Sequence, residues 1–312
     1  VTTLRWLVIA GPTASGKSAL SLDLAERFGG EIVNADSRQI YRFMDIGTAK
    51  PEADERRRVP HHLFDVATPD ERFDAARYHE LARPSVSGIA TRGKLPIVVG
   101  GTGLYIRALA GGLFAAPAAV MRLRRLLEGL EDRAAGTLHR WCRRLDPPAA
   151  ERTHPNDRVR LVRALEVTLT TGEPMSVQQA RHRFADRLGA LLYVVIDPGP
   201  EELRRRIRRR SAELFERGLV EEVRDLWARG YGPELPALRS IGYLEAGRVL
   251  SGERSVAEAT EDVVHATERF AKRQRTWFRA ESDAVWFHPE QGRAPLLRRI
   301  ERFLGESSGA PL

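Results

Sequence analysis

The sequence predicts an α/β protein, a parallel sheet flanked by helices and carrying an inserted all-helical domain. Three observations predict it. Short apolar runs, "WLVIA", "EIVNAD", "LPIVVGG" and "LLYVVID", alternate with helical patterns, and such unbroken runs suit strands buried on both faces. The first run leads straight into a glycine-rich loop and a helix. Between the third and fourth runs lies a long arginine-rich stretch with helical periodicity and no comparable strand.

In "LVIAGPTASGKSALSLDLAERFG" the strand is followed by Gly11, Pro12, Thr13, Ala14, Ser15, Gly16, Lys17 and Ser18, the G-x-x-x-x-G-K-S spacing of a P-loop. Such a loop holds a polyphosphate, because successive backbone N–H groups point into one cavity at a helix N-terminus and Lys17 adds a positive charge. The helix places Leu20, Leu24 and Phe28 on one face and stops at Gly29. In the usual nucleotide-hydrolysing version the Ser18 hydroxyl ligates Mg²⁺ and a second strand ends in a supporting Asp. Here "LPIVVGGTGLY" ends in Gly100, Gly101 and Thr102 without a carboxylate, which counts against a standard ATPase.

The second run delivers Asp36 to the C-terminal edge of the sheet, the side on which the P-loop opens. Two readings stand side by side: Asp36 caps the following turn, with Gln39 completing a capping-box-like pair, or it is a carboxylate used for proton transfer or metal binding beside a polyphosphate. His61 and His62 of "PHHLFD" are adjacent and lack a partner cluster, so they read as structural.

The insertion is expected over residues 115–187, with breaks at Asp146-Pro147-Pro148 and Thr171-Gly172-Glu173-Pro174, leaving residues 1–114 and 188–312 as the core with its C-terminal helices. Within it, "RLVRALEV" reads as an amphipathic helix packing Leu161, Leu165 and Thr168. After the fourth run the chain is expected to be helical. Leu203, Ile207, Leu214, Val223 and Trp227 form one apolar stripe. In "VVHATERFAKRQRTWFR", Val263, Thr267, Phe270, Gln274 and Trp277 make a packed face, opposite Lys272, Arg273, Arg275 and Arg279. Trp277 and Phe278 are assigned to the core, and "GESSGAPL" to a frayed tail.

Composition narrows the class. A chain of 312 residues with 42% hydrophobic and 29% charged residues has the make-up of a soluble globular protein with a real core. No run of about 18 apolar residues exists and the first residues enter a strand, so neither a membrane span nor a signal peptide is expected. The single Cys142 allows no internal disulfide and no cysteine zinc cluster, which suits a reducing cytoplasm. The net charge of +8 serves solubility or an anionic macromolecular partner.

The blocks "GPTASGKS", "NADSRQIYRFMDIGTAKP", "PHHLFD", "GGTGLYIRAL", "HPNDRVRLVRALEV", "ALRSIGY" and "AKRQRTWFR", in that order and across nearly the whole chain, resemble the bacterial tRNA dimethylallyltransferases. The resemblance implies a P-loop NTPase-like fold whose loop grips a diphosphate leaving group. Dimethylallyl diphosphate would give its five-carbon group to N6 of the adenosine 3′-adjacent to the anticodon. It implies Mg²⁺ near Ser18, Lys17 and Arg210 on the diphosphate, Asp36 as proton acceptor and Thr102 holding the nucleotide. Arg204, Arg205, Arg208 and Arg209 would face solvent or RNA. Carried over as tRNA contacts are Asp36, Ser37, Arg38 and Gln39; Thr102; Arg122; Arg160, Leu161, Val162, Arg163 and Ala164; and Arg239, Ser240, Ile241, Gly242 and Tyr243. Two departures stand out. Phe43 occupies a position where the family usually has Gly, and "FAAPAAVMRLRR" lacks the usual Asp-Pro. They bear on loop shape and on the insertion's entry, not on the residues that carry the chemistry.

Two other activities compete. A transferase acting on free AMP or ADP would share the donor chemistry but has no use for a basic helical insertion. A P-loop small-molecule kinase would use Asp36 as base yet gives no reason for "MDIGTAKP". The expected partners are tRNA and dimethylallyl diphosphate, with no membrane, and the expected state is a monomer.

Overall fold

The computed structural model describes residues 4–114, 116–182 and 185–305. Six strands form one all-parallel sheet: β1 (Arg5–Ala10), β2 (Gly30–Asn34), β3 (His61–His62), β4 (Leu95–Gly100), β5 (Ala190–Ile196) and β6 (Val285–Phe287), in the spatial order β3-β2-β4-β1-β5-β6. Leu7 of the central β1 pairs with Ile97 of β4 and Leu192 of β5. The four long strands are those the apolar runs predict. The edge strands β3 and β6 correct the expectation: two- and three-residue strands leave no periodicity to read, and β6 lies where only helix was expected.

Fourteen helices are described: α1 (Lys17–Phe28), α2 (Ala53–Arg58), α3 (Ala75–Thr91), α4 (Gly103–Gly111), α5 (Met121–Arg133), α6 (Thr137–Leu145), α7 (Pro147–Glu151), α8 (Arg158–Thr171), α9 (Met175–His182), α10 (Pro200–Glu216), α11 (Leu219–Ala228), α12 (Tyr243–Leu250), α13 (Val256–Arg279) and α14 (Ala294–Gly305). In α1, Leu20 and Leu24 are buried against the sheet, Phe28 packs beside them, and Gly29 ends the helix with its N–H on the Ala25 carbonyl. None of the described helices is long and apolar enough to cross a membrane.

The chain divides into two compact units, Val1–Leu109 with Leu188–Leu312, and Ala110–Arg187. Ala115, the sequence-based start of the insertion, lies outside the described residues, as do residues 306–312 of the "GESSGAPL" tail. The second unit has its own core, in which Leu127, Leu138, Cys142, Leu161 and Leu165 are fully buried. Its break at Asp146 is a cap: Asp146 accepts from the Ala149 N–H at 3.2 Å and, with its other oxygen, from the Ser176 N–H at 2.9 Å.

In the first unit, the apolar stripe read after β5 is split between two helices that break at Arg217 and Gly218. Leu203 and Ile207 pack with Val264 and Ala271 of α13. Leu214 and Val223 join Ile40, Met44 and Tyr243. Helix α10 thus contributes to both clusters, and α11 joins it in the second, which packs on the loop that carries Ile40 and Met44.

Candidate active site

The loop between β1 and α1 closes tightly on itself. Ser15 donates its N–H to the Pro12 carbonyl at 3.2 Å, and Lys17 reaches back to the same carbonyl with Nζ at 3.3 Å. Gly11 is required by its neighbours, since a Cβ there would meet the Ile196 carbonyl oxygen at 2.6 Å. The Ser18 hydroxyl has no hydrogen-bond partner among the described residues and is exposed at the first turn of α1. From α10, Arg206 donates to the Ser15 carbonyl at 3.1 Å while paired to Glu202, steadying the loop from outside.

Beside the loop, the chain leaving β2 is locked to β4. Ser37 donates its N–H to the Thr102 hydroxyl at 3.0 Å, and Thr102 donates its N–H to the Ala35 carbonyl. Asp36 is half-buried, and its Oδ1 accepts the Arg38 N–H at 2.9 Å. That is the capping reading in part. Gln39 does not complete a capping box: its amide donates to the Thr48 and Ala49 carbonyls, both at 3.1 Å, holding the following loop closed. Asp36 keeps Oδ2 without a hydrogen bond among the described residues, so capping leaves an acceptor free.

Electrostatics ties these groups together. Burial lowers the Lys17 ammonium to about 8, with Asp36 opposing that shift and Arg210 adding to it. Burial likewise lowers Arg210, whose charge is supported by Asp36 and Glu213. No ion pair joins the Arg210 guanidinium to another described residue, whereas Arg205, Arg208 and Arg209 on the same helix pair with Glu202, Glu261 and Glu213. Arg204 is exposed. Two desolvated cations and one carboxylate with a free oxygen therefore influence one another at the mouth of the loop. Such a site has surplus positive potential for an anion.

The remaining sequence-derived contacts divide by burial. Arg38, Arg122, Arg160 and Arg239 are exposed, and Ser37 and Ile241 partly so. Leu161, Val162 and Ala164 lie in the core of the second unit, and Arg163 pairs with the buried Glu166 at 2.7 Å and donates to the Pro117 carbonyl. Tyr243 is buried and donates its hydroxyl to Glu222 at 2.6 Å, Ser240 is turned to the Ala237 carbonyl, and Gly242 is buried. Packing claims most of their side chains, Arg163 included, and leaves Arg160 and Arg239 outside. His61 and His62 are structural, with His61 Nδ1 2.7 Å from the Val59 carbonyl and His62 Nε2 2.7 Å from Glu31.

One residue at the site was read only as part of a packed face. Gln274 of α13 accepts the Thr13 N–H at 2.9 Å and donates to the Gly101 carbonyl at 2.9 Å. A polar amide within an apolar helical stripe was the available signal. Arg275, expected on the solvent side, instead pairs with Asp197 at the end of β5 at 2.9 Å.

A glycine-rich loop after the first strand of a parallel sheet, with Asp36 from the neighbouring edge electrostatically coupled to Lys17 and Arg210, defines a protein of P-loop-like fold. The IPP transferase family model matches residues 39–281, and the chain belongs to that family. It is 52% identical to a tRNA dimethylallyltransferase of Geobacter metallireducens over 90% of this chain and 92% of the relative, and 48% identical to tRNA dimethylallyltransferase 1 of Citrifermentans bemidjiense over 96% and 97%. Among solved structures it is similar to the full-length tRNA isopentenylpyrophosphate transferase of Bacillus halodurans, with TM-score 0.69 and 35% identity, covering 96% of this chain and 97% of that one. It is also similar to a eukaryotic dimethylallyltransferase acting on tRNA, with TM-score 0.83 and 26% identity, covering 98% and 81%.

Proposed function

We propose that this protein is a cytoplasmic, monomeric tRNA dimethylallyltransferase. It moves the dimethylallyl group of dimethylallyl diphosphate to N6 of the adenosine 3′-adjacent to the anticodon and releases diphosphate. The observation that carries the reading is the convergence of Lys17, unpaired Arg210 and Asp36 at a P-loop whose neighbouring strand ends without a carboxylate.

Breaking the allylic C–O bond leaves cation character on the five-carbon group and extra negative charge on the diphosphate. Loop N–H groups, Lys17 and Arg210 are fixed where that charge grows, and a preorganised, partly desolvated cation stabilises it more than water does. The N6 lone pair forms the new C–N bond. As it forms, the amine becomes acidic and Asp36 Oδ2 takes the proton, with Oδ1 held by the Arg38 N–H so that the carboxylate keeps its aim. Thr102, its oxygen fixed by the Ser37 N–H, retains a hydroxyl proton with which to hold the nucleotide. The free hydroxyl of Ser18 would be the protein's contact to Mg²⁺, since no cluster of three acidic, His or Cys ligands occurs among the described residues. When bound, the metal supplies further charge neutralisation on the leaving group.

Adenine N6 inside a stacked loop is out of reach, so the base must be drawn out of the stack. Exposed Arg38, Arg122, Arg160 and Arg239 are among the cations available for RNA phosphates.

The test is incubation with labelled dimethylallyl diphosphate and, separately, unmodified tRNA, AMP and ATP. Label is expected in tRNA alone, with binding that weakens steeply in salt, the log–log slope being about 0.7 to 0.9 per phosphate contact. Preferential prenylation of AMP, or phosphoryl transfer from ATP, would overturn the reading.

A further inference from the structure

We infer that Gln274 is a positioning residue for the prenyl transfer, coupling the diphosphate loop to the strand edge that holds the acceptor. The inference rests on the reading of the site given above. Gln274 is buried, and its side-chain amide is used at both ends: Oε1 takes the Thr13 N–H of the P-loop, and Nε2 donates to the Gly101 carbonyl. Gly101 directly precedes Thr102, which fixes Ser37 and so the Asp36 turn. One side chain thus spans the leaving-group side and the proton-acceptor side of the reaction. The approach at Gly101 is close and needs a glycine there, because a Cβ on Gly101 would collide with Nε2.

Two consequences follow from the bonding. The Thr13 N–H is withdrawn from the anion cradle, so the N–H groups left to meet a diphosphate come from the later loop residues. The separation of loop and edge is set from α13, which grips α4 again one turn further on. There the Trp277 indole lies against Gly103, and the Arg107 guanidinium stacks 4.4 Å from the Trp277 ring centre while pairing with Glu281 at 2.7 Å. Gln274 and Trp277, three residues apart on α13, lie against Gly101 and Gly103 in turn, so one helical face holds the start of α4. An in-line transfer needs donor carbon and acceptor nitrogen within near-attack distance, and a displacement of about 1 Å costs about a hundredfold in rate.

Two variants test this in the full chain. Gln274→Met keeps length and loses both hydrogen bonds; Gln274→Glu keeps the acceptor for Thr13 and loses the donor to Gly101. With saturating dimethylallyl diphosphate and tRNA, the single-turnover rate is expected to fall about a hundredfold for Gln274→Met and less for Gln274→Glu. Inorganic pyrophosphate binding to Gln274→Met, by calorimetry, should stay within about threefold of wild type or tighten, because the Thr13 N–H is freed for the anion. A merely structural role predicts a lower melting temperature with an unchanged rate per folded molecule. Wild-type single-turnover rates in the folded variants overturn the inference, and should Gln274→Met not fold, a wild-type rate in Gln274→Glu does so alone. A rate loss that follows weakened pyrophosphate binding overturns it too. Failure of pyrophosphate to bind the wild-type protein would instead break the reading of the loop itself.

Discussion

The P-loop and the "ALRSIGY" block are comparably distinct stretches of sequence, yet the structure uses them in different ways. In the loop, the motif closes on itself, with the Ser15 N–H and Lys17 Nζ both on the Pro12 carbonyl, and the polar partner that braces it, Gln274, comes from far along the chain. In the block, Tyr243 and Ser240 turn inward. Tyr243 donates to Glu222, which also accepts the N–H groups of Asp45, Ile46 and Gly47, so the block holds "MDIGTAKP" in shape. A recognisable sequence block marks a constraint. Only geometry tells whether the constraint is chemistry or packing.

Substitutions at the loop and the Asp36 edge should give the largest effects and confine them to rate. Asp36→Asn keeps the hydrogen-bonding shape and removes the proton acceptor, so the single-turnover rate should drop by about 10² to 10⁴ while tRNA affinity changes little. Lys17→Ala and Arg210→Ala should each cost about a hundredfold or more, since each removes a charge facing the leaving group. Rapid-quench kinetics with saturating tRNA and donor measure both. Normal turnover in the cation variants would place the diphosphate elsewhere.

The pH profile sharpens the same point. Because burial brings Lys17 down to about 8, the free protein carries its ammonium below that pH and loses it above, and kcat/KM for the donor should fall about tenfold per unit as pH rises beyond 8. A bound diphosphate favours the ammonium, so kcat should hold to higher pH. A kcat/KM flat from pH 7 to 9.5 would show that Lys17 does not carry the anion's charge.

How much was legible follows from where the signals sit. The four long strands, the P-loop, α1 with its Gly29 stop and the break at Asp146 are local patterns, and local patterns survive in sequence. Strands β3 and β6 are too short to have a period. The split of the apolar stripe at Gly218 needed knowledge of two separate partners, Val264 for Ile207 and Met44 for Val223. Gln274 sat in plain view on an expected packed face, but its partners Thr13 and Gly101 are far away in the chain, and no spacing rule joins them. The solvent side expected for Arg275 failed for the same reason, Asp197 being supplied by β5.

Tyr243→Phe probes the packing side of the comparison. It removes one hydrogen bond to a carboxylate, so stability should fall by about 2 kcal/mol with Kd for tRNA unchanged. Chemical denaturation and filter binding on one preparation separate these. Weaker tRNA binding without loss of stability would return Tyr243 to the RNA surface.

The smallest effect tests the departure at Phe43. Its φ of 66° lies in the left-handed region, which explains a glycine preference there, and its ring stacks on Tyr231 with centroids 6.2 Å apart beneath the Arg229 guanidinium, 4.7 Å away. Backbone strain and ring contacts thus pull in opposite directions, and two substitutions part them. Phe43→Ala loses the ring and keeps the strain; Phe43→Gly loses both. Gly should therefore be the more stable of the two by about 1 kcal/mol, although Gly gives the unfolded chain more freedom and so offsets part of the gain. Neither touches the loop or Asp36, so prenylation rates per folded molecule should match wild type. If Ala equalled Gly in denaturant midpoint, the left-handed backbone would carry no strain, and the glycine preference would need another cause.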